Sequence, residues 1–534
     1  MDMRRSGIAA VAAAAALALV ATGCSAGGGS SSDDASGTSL VYATGVPDHL
    51  TPGRQTVAFD QVMSLFAPLV QTDSDDHLTD LAAKSVKSDD ATTWTITLRH
   101  GWKFQNGETV TPESYVRAWN YTAYAPHAWE NSGELAGIVG YSDLNPTSGT
   151  PTTDTMRGLK VTGKDTFTVT LTHADSQFPL QLSQAQTAFY PMPKAAYRDI
   201  KAYDKKPIGN GPYEMTEAWT KNKEFTVRAW SGYQGPAPKT ERVTYRSYSD
   251  MDTAYTDVLA GNADVLYLPA DKMTSAKSDF GDHLYSFTSP GIDYLGFPLW
   301  DKRYSDPRIR QAISMSINRK QVDKAIYGGL YEPATALTPP VMSGTQEGIC
   351  GKYCTYDPAA AKQLLAAAGG FSGEMDLVYP GGLGLDSLYQ AYANQIRQNL
   401  GVAKVVAKPT TDWASYYSTL TAKTVAGPHF GHWGALYTSQ QNTLRALFTA
   451  AGGCTTCAGY YQNDDVDRLL DQADAASTQS AADALYNKAQ KRVLQDFPIV
   501  PTFFDKYSYV TSSKVTKLPE VAGSPVISEI QVSK

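Results

Sequence analysis

Four of the five cysteines occur in two local pairs, a spacing that suits covalent or metal chemistry. They are Cys350 and Cys354, and Cys454 and Cys457. Paired thiolates can hold a zinc ion. Outside the cytoplasm, however, thiols tend to oxidise, and short-range disulfides then pin turns with little gain in chain entropy. We expect two disulfides, with a four-thiolate zinc site as the alternative.

A second candidate for metal chemistry is the pair His429 and His432. Two imidazoles at this spacing need a carboxylate or thiolate partner before they can hold a transition metal. The sequence does not identify that partner, so binding of a metal chelate stays an alternative to two histidines without a metal role. We predict no resident metal and no cofactor.

The usual signatures of enzyme catalysis are absent from the sequence. It contains no Gly-x-Ser-x-Gly elbow, no His-Glu-x-x-His helix and no phosphate-binding Walker loop. A triad of distant residues would leave no such signature, so this observation favours a binding protein without excluding catalysis. The formal net charge is -7 and no block of Lys or Arg stands out, which argues against a nucleic-acid partner.

The N-terminus has the order of an export signal. Arg4 and Arg5 precede an apolar run, residues 8–20, that is too short to span a bilayer. The small residues that follow resemble a bacterial lipobox ending at Cys24, with Ala21 where leucine is more usual. The resemblance implies cleavage after residue 23 and a lipid on Cys24 that anchors the protein outside the cell membrane, with plain secretion as the alternative. Residues 24–39 are predicted to be a flexible tether.

The elements that would position any site alternate between helix and strand along a chain of 534 residues, which is long enough for two or three lobes. Strands are predicted at 40–43, 94–99, 225–228, 263–267, 377–379, 402–407, 499–504 and 508–510, and helices at 55–69, 252–259, 306–318, 360–368, 387–400, 464–476 and 481–494. The β-α-β order after residue 377 indicates an α/β lobe with some parallel strand pairing.

Four segments, spread over the chain, carry a resemblance to a known family. They are WTITLRHGWKF at 94–104 with NGE and TPE following at 106–108 and 111–113, IGNGPY at 208–213, SDPRIRQAISMSINR at 305–319, and YDPAAAKQLL at 356–365. Each segment alone is a weak signal. Four in order behind an export signal resemble the peptide, dipeptide and nickel binding proteins of ABC importers.

The resemblance implies an α/β fold: a two-lobed clamshell of the periplasmic-binding-protein type, with an extra subdomain and a hinge. Ligand would lie between the lobes, and closure would bend the chain near Pro207 and near Gly296. The expected parts are lobe I at 40–66, 207–295 and 503–534, the extra subdomain at 67–206 and lobe II at 296–502. The implied function is capture of oligopeptides by a monomer that delivers them to membrane permease subunits. A non-peptide solute, such as a metal chelate or an oligosaccharide, or a peptide signal sensed by a receptor, is the alternative.

The resemblance also implies which residues contact the ligand. In peptide-binding relatives a Trp-x-Ala-Asp-Tyr segment lines the cleft, and its Asp pairs with the α-amino group of the ligand. Here Leu436 occupies the place of that acid. Because a buried amine without a counter-charge is costly, either Asp412 or Asp505 replaces the acid or the ligand lacks a free amine there. The expected contacts are Trp433, Gly434, Ala435, Leu436, Tyr437, Tyr267, Gly45, Val46, Pro47, Tyr294 and Phe297.

Overall fold

The computed structural model describes residues 37–73, 77–184, 189–450, 452, 454 and 456–533. The predicted export signal, Cys24 and residues 25–36 of the tether lie outside the described residues. Within the described ranges, no helix combines the length and the apolar character needed to cross a membrane.

The described part of the chain is a mixture of strands and α-helices. The strands are β1 (Ser39–Thr44), β2 (Val70–Thr72), β3 (Leu78–Asp80), β4 (Ala83–Lys87), β5 (Thr93–Leu98), β6 (Leu159–Gly163), β7 (Thr166–Thr170), β8 (Tyr213–Met215), β9 (Phe225–Ala229), β10 (Arg242–Ser247), β11 (Val265–Tyr267), β12 (Leu284–Gly296), β13 (Glu332–Pro333), β14 (Glu374–Tyr379), β15 (Lys404–Pro409), β16 (His429–Gly434), β17 (Ile499–Thr511), β18 (Val515–Lys517), β19 (Glu520–Val521), β20 (Ser524–Pro525) and β21 (Gln531–Val532). The helices are α1 (Phe59–Leu65), α2 (Pro112–Ala123), α3 (Tyr141–Leu144), α4 (Phe178–Gln181), α5 (Ile200–Lys205), α6 (Met251–Leu259), α7 (Ala276–Phe280), α8 (Pro307–Met315), α9 (Arg319–Val322), α10 (Pro358–Ala367), α11 (Asp386–Leu400), α12 (Trp413–Thr421), α13 (Gln440–Phe448), α14 (Asp464–Asp474) and α15 (Gln479–Asp496).

Several helices begin where the sequence supplies a capping side chain followed by proline. Asp306 accepts a hydrogen bond from the Arg308 N–H at the start of α8, and Asp357 accepts one from the Ala360 N–H at the start of α10. A carboxylate in this position satisfies a backbone donor that has no partner in the first turn, and proline needs none. These two predicted helix starts are confirmed.

Most predicted elements differ from the observed ones by a few residues at their ends, and two differ more. The helix expected at 55–69 is limited to α1, because residues 51–57 form turns. The two short strands expected near the C-terminus are one continuous strand, β17, which is almost wholly buried.

One mixed sheet of eleven strands runs through the protein. Its order is β15-β14-β16-β12-β17-β11-β1-β10-β9-β8, with β13 paired to β17. The pairs β1–β10, β1–β11, β14–β15 and β14–β16 are parallel. The parallel pairing of β14 and β15 around α11 confirms the predicted β-α-β unit. A separate four-stranded sheet has the order β4-β5-β7-β6.

Two large hydrophobic cores lie on either side of the middle of the long sheet. The first contains buried residues at 40–265 and 509–530, and the second contains buried residues at 292–504. The antiparallel strands β12 and β17 join the two cores. Their register shifts between Thr288 and Ile292 and again between Asp293 and Tyr294. Such irregularities bend and twist a strand locally.

The turn after Pro207, where a hinge is predicted, is tightly packed in the structure, and the hinge itself stays a prediction. A Cβ atom on Gly209 would lie 1.8 Å from the Leu65 carbonyl oxygen, and one on Gly211 would lie 2.5 Å from the Leu65 carbonyl carbon. Leu65 and Tyr213 belong to the same hydrophobic core. The glycines therefore permit close packing of this turn within one core, and nothing about them requires a hinge.

Candidate ligand-binding site

Three ionisable side chains from neighbouring strands meet near the middle of the long sheet. Asp293 on β12 and His432 on β16 are a direct cross-strand pair, with His432 Nδ1 3.0 Å from Asp293 Oδ1. Asp505, on β17, places its Oδ2 atom 3.4 Å from the same nitrogen. We call these three residues the acidic cluster. It lies where β12 and β17 pass from one hydrophobic core to the other.

The electrostatics of the acidic cluster favour a positive charge. Burial opposes protonation of His432, but the charges of Asp505 and Asp293 outweigh it and raise the pKa of the imidazole to about 9. Burial, followed by the charge of Asp293, raises the pKa of the Asp505 carboxyl, and His432 partly offsets this effect. Two carboxyl groups share one imidazole, so a further positive charge nearby would favour their ionised forms.

Asp505 is the most enclosed member of the acidic cluster. Only 4% of the residue is exposed, and its Oδ1 atom is buried without a hydrogen-bond partner. A buried polar atom in this state is costly unless a ligand or a water satisfies it. Gly291 makes room for the carboxylate, since a Cβ atom there would lie 2.3 Å from Asp505 Oδ2.

Several tyrosines lie near the acidic cluster. Tyr267 is 45% exposed, and its ring lies 5.9 Å from that of Tyr507 in an edge-to-face arrangement. Tyr327 and Tyr331 stack with ring centroids 4.0 Å apart. Burial raises the pKa of Tyr331, and the nearby charges of Asp505 and Asp293 raise it further, which shows that this ring lies near the cluster. Aromatic faces attract organic cations.

The segment 433–437 lies beside the acidic cluster at the end of β16. Trp433 is partly buried against the second core, and its indole N–H donates to Asn442 Oδ1 at 3.1 Å. The Leu436 N–H donates to the same oxygen at 3.3 Å. Ala435 and Tyr437 are buried, and the Tyr437 hydroxyl donates to Gln441. Gly434, partly exposed, ends the strand. The Trp433 ring is thus shared between the core and the surface.

The predicted contacts from the first core lie at strand ends. Gly45 directly follows β1 and is exposed, Val46 is half-buried and Pro47 is buried. Tyr267 ends β11, the strand between β1 and β17. Gly45 and Tyr267 are therefore the more accessible of these residues.

Two predicted ligand contacts are core residues in the structure. Tyr294 is 1% exposed and Phe297 is fully buried, and both belong to the second hydrophobic core. Their neighbours explain this, because a Cβ atom on Gly431 would collide with the Tyr294 ring and the Phe297 ring packs on Tyr304. In this structure both rings therefore serve the packing of the core, and their contact with a ligand stays a prediction.

Of the two acids proposed to replace the missing carboxylate, only Asp505 is near the segment 433–437. Asp412 caps α12 by accepting a hydrogen bond from the Ser415 N–H at 2.8 Å, and it is exposed. Its carboxylate is already used by the helix. Asp505 contacts His432, the residue before Trp433.

The described histidines and cysteines that the sequence offers as metal ligands do not come together in a single site. His429 is fully buried, and burial lowers its pKa to about 4, whereas His432 belongs to the acidic cluster. The sulfur atoms are paired as Cys350–Cys354 and Cys454–Cys457. Among the described residues, the group with the spacing to hold a metal ion is the acidic cluster itself.

A surface cavity of about 520 Å³ lies elsewhere, next to α2. Its lining includes Glu113, Arg117, Tyr121, Tyr124 and His127. None of its lining residues belongs to β12, β16 or β17, so we do not assign it to the candidate ligand site.

The family of the chain is decided by the match between its central part and a known family model. The model for bacterial extracellular solute-binding proteins, family 5 Middle, matches residues 78–453. The chain belongs to this family. It is a solute-binding family that works in transport outside the cytoplasm.

Two family 5 relatives align with most of the chain. The periplasmic murein peptide-binding protein MppA of Escherichia coli (strain K12) is 26% identical over 479 residues, which is 87% of this chain and 86% of MppA. The glutathione-binding protein GsiB of the same strain is 26% identical over 471 residues, which is 85% of this chain and 86% of GsiB.

A solved family 5 structure shows the same fold. The unliganded open form of MppA matches with a TM-score of 0.81 and 25% identity, and covers 93% of this chain and 99% of that one. The fold is that of a two-lobed α/β periplasmic binding protein, as predicted.

Sequence reasoning missed Asp293. It selected the neighbouring Tyr294, which is buried in the core, because this residue lies at the predicted crossover between the lobes. The available signal was that Asp293 is the only charged residue in the apolar stretch 287–300. A lone acid in a buried strand needs a partner, and here the partner is His432.

Proposed function

We propose that this protein is the substrate-binding subunit of an ABC importer and captures oligopeptides between its two lobes. The observation that carries the proposal is the acidic cluster, which lies with its surrounding tyrosines on the strands that join the two cores. A polar centre bordered by aromatic rings suits a ligand with a charged backbone terminus and apolar side chains. The ligands for which MppA and GsiB are named, a murein peptide and glutathione, support a peptide ligand here.

We place the moving parts at the two cores. Lobe I with the extra subdomain corresponds to the first core and lobe II to the second, so the irregular pairing of β12 with β17 at residues 288–294 acts as the hinge. This hinge lies just before Gly296, where the sequence predicted one, and next to Asp293. A ligand held by the acidic cluster would therefore contact the segment that bends.

The sequence supports the cellular setting of this function. Residues 1–23 form an export signal, Cys24 carries the lipid and residues 24–39 hold the folded body away from the membrane. Anchoring keeps a monomeric binding protein close to its permease. We propose no enzymatic activity and no nucleic-acid partner.

A thermal-shift screen with turnover control tests the proposal. Ligands that bind only the folded protein raise its melting temperature by mass action. We expect short peptides to raise the melting temperature and to be recovered intact by mass spectrometry, with no shift from oligosaccharides or metal chelates. Stabilisation by sugars or chelates alone, or cleavage of the peptides, would reject peptide capture.

A further inference from the structure

We propose that the acidic cluster is a subsite for an organic cation of the ligand, an ammonium or a guanidinium group, and that it replaces the carboxylate absent at Leu436. This inference rests on the proposed function, because it specifies which part of a captured solute this place receives. The cluster consists of Asp293, His432 and Asp505, contributed by three adjacent strands.

The acidic cluster contains more acidic groups than basic ones. When its carboxylates are ionised, the cluster has two negative charges and at most one positive charge, on His432. Asp293 is already bonded to His432 Nδ1 at 3.0 Å, whereas Asp505 is farther from it at 3.4 Å. Asp505 is therefore the less neutralised of the two carboxyls, and its ionised form, which burial and the charge of Asp293 disfavour, lacks a full partner. A buried charge in this state is stabilised strongly by a paired cation.

Asp505 also offers a hydrogen-bond acceptor that is not satisfied. Asp505 Oδ1 is buried and has no hydrogen-bond partner, although the residue is 4% exposed. An ammonium or guanidinium group offers donors to this atom and a charge to the carboxylate, which makes a hydrogen bond of the strong, charge-assisted kind. His432, whose side chain is 43% exposed, and Tyr267, which is 45% exposed, are the more accessible residues near Asp505.

The residues near the acidic cluster suit an organic cation better than a metal ion. Three oxygen and nitrogen atoms within 4.8 Å of one another could also hold a divalent cation. The residues near the cluster, however, include tyrosines, since the charges of Asp505 and Asp293 raise the pKa of Tyr267 and of Tyr331 in addition to burial. Ring faces stabilise an ammonium or a guanidinium ion, whereas a metal ion needs further oxygen or nitrogen ligands to complete its coordination.

The test compares three mixed tetrapeptide pools with the full-length mature protein in calorimetric titrations. The first pool has free α-amino groups and lacks Lys and Arg, the second is the same pool after N-acetylation, and the third is acetylated but contains Lys and Arg. We expect the first pool to bind at least tenfold more tightly than the second, the scale of one charge-assisted hydrogen bond. Tight binding of the third pool would identify a side-chain cation as the group that is held, and tight binding of the first alone would identify the α-amino group.

Two isosteric variants connect this preference to the cluster. Asp505→Asn removes the charge of the enclosed acid, and Asp293→Asn serves the same purpose if the first variant fails to fold; Asp471→Asn, at an exposed acid, is the control. We expect the preference for a cationic pool to fall to about twofold or less in either cluster variant and to persist in the control.

The outcomes separate this inference from the proposed function. Equal binding of the first two pools by the wild-type protein, with no tighter binding of the third, or an unchanged preference in folded Asp505→Asn, would overturn the cation subsite while leaving peptide capture intact. Absence of binding by all three pools would overturn both. Stoichiometric binding of Zn²⁺ alone, lost in Asp505→Asn, would show that the cluster is a metal site instead.

Discussion

Asp293 and His432 face each other across β12 and β16, with 3.0 Å between the carboxylate Oδ1 and the imidazole Nδ1. The pair joins a strand that crosses between the two hydrophobic cores to a strand that packs against the second core. Together with Asp505 it forms a polar centre on the strands that connect the two cores, and several of its properties can be measured.

The first prediction concerns the dependence of stability on pH. The pKa of His432 is raised to about 9 in the folded protein, against about 6.5 for an unperturbed histidine. The folded state therefore binds more protons between these values, so the contribution of His432 to stability is fully present below pH 6.5 and is lost as the pH rises through about 9. Thermal melts of the wild type and of His432→Gln should converge between pH 7 and 10. The control variant His77→Gln, at an exposed position, should have the same melting temperature as the wild type at every pH. A difference in melting temperature between His432→Gln and the wild type that stays constant with pH would contradict the raised pKa of His432.

The second prediction concerns the packing of the turn after Pro207. Gly209→Ala places a methyl group against the Leu65 carbonyl oxygen and should destabilise the protein by roughly 1–3 kcal/mol, the usual range for overpacking. Gly45→Ala is the matched control, since a Cβ atom at this position would have no neighbouring atom within 4 Å. Urea unfolding gives both values. Equal stability of the two variants would mean that the turn is not tightly packed.

The third prediction concerns a buried acid in the second core. Asp474 accepts hydrogen bonds from Arg445 at 2.7 Å and from the Tyr486 hydroxyl at 2.6 Å, and its side chain is 3% exposed. Asp474→Ala should lower the free energy of unfolding by about 3 kcal/mol, because it leaves a partly buried cation without its main partner. Asp471 pairs with the same arginine but is 72% exposed, so Asp471→Ala should change stability by less than about 1 kcal/mol. A large loss of stability in both variants would show that the effect depends on pairing with Arg445 and not on burial of the acid.

The sequence and the structure agree where a local signal determines the result. Asp306 and Asp357 cap their helices because the cap, the proline and the first turn are adjacent in the chain. The acidic cluster has no such signal, since its members are distant in sequence and meet only through strand pairing. Successive side chains of a strand lie on opposite faces, so Tyr294 packs in the second core while its neighbour Asp293 contacts His432. The register shift next to this position depends on the pairing with β17, which no local pattern indicates.

The fourth prediction concerns Trp433. Its ring is shared between the second core and the surface, and its N–H bond to Asn442 fixes its orientation. Trp433→Ala should weaken peptide binding by roughly 1–3 kcal/mol, the scale of a buried aromatic contact. Trp230→Ala, at a half-buried tryptophan after β9, is the control for loss of an indole elsewhere. Unchanged affinity of a folded Trp433→Ala would restrict this residue to a packing role.

The central claim, peptide capture without chemistry, is tested most directly by native mass spectrometry of the mature protein after incubation with a mixed peptide pool. We expect complexes of one protein with one peptide, and we expect denaturation to release that peptide with its mass unchanged. A protein that retains no peptide, or that returns shortened peptides, would contradict it.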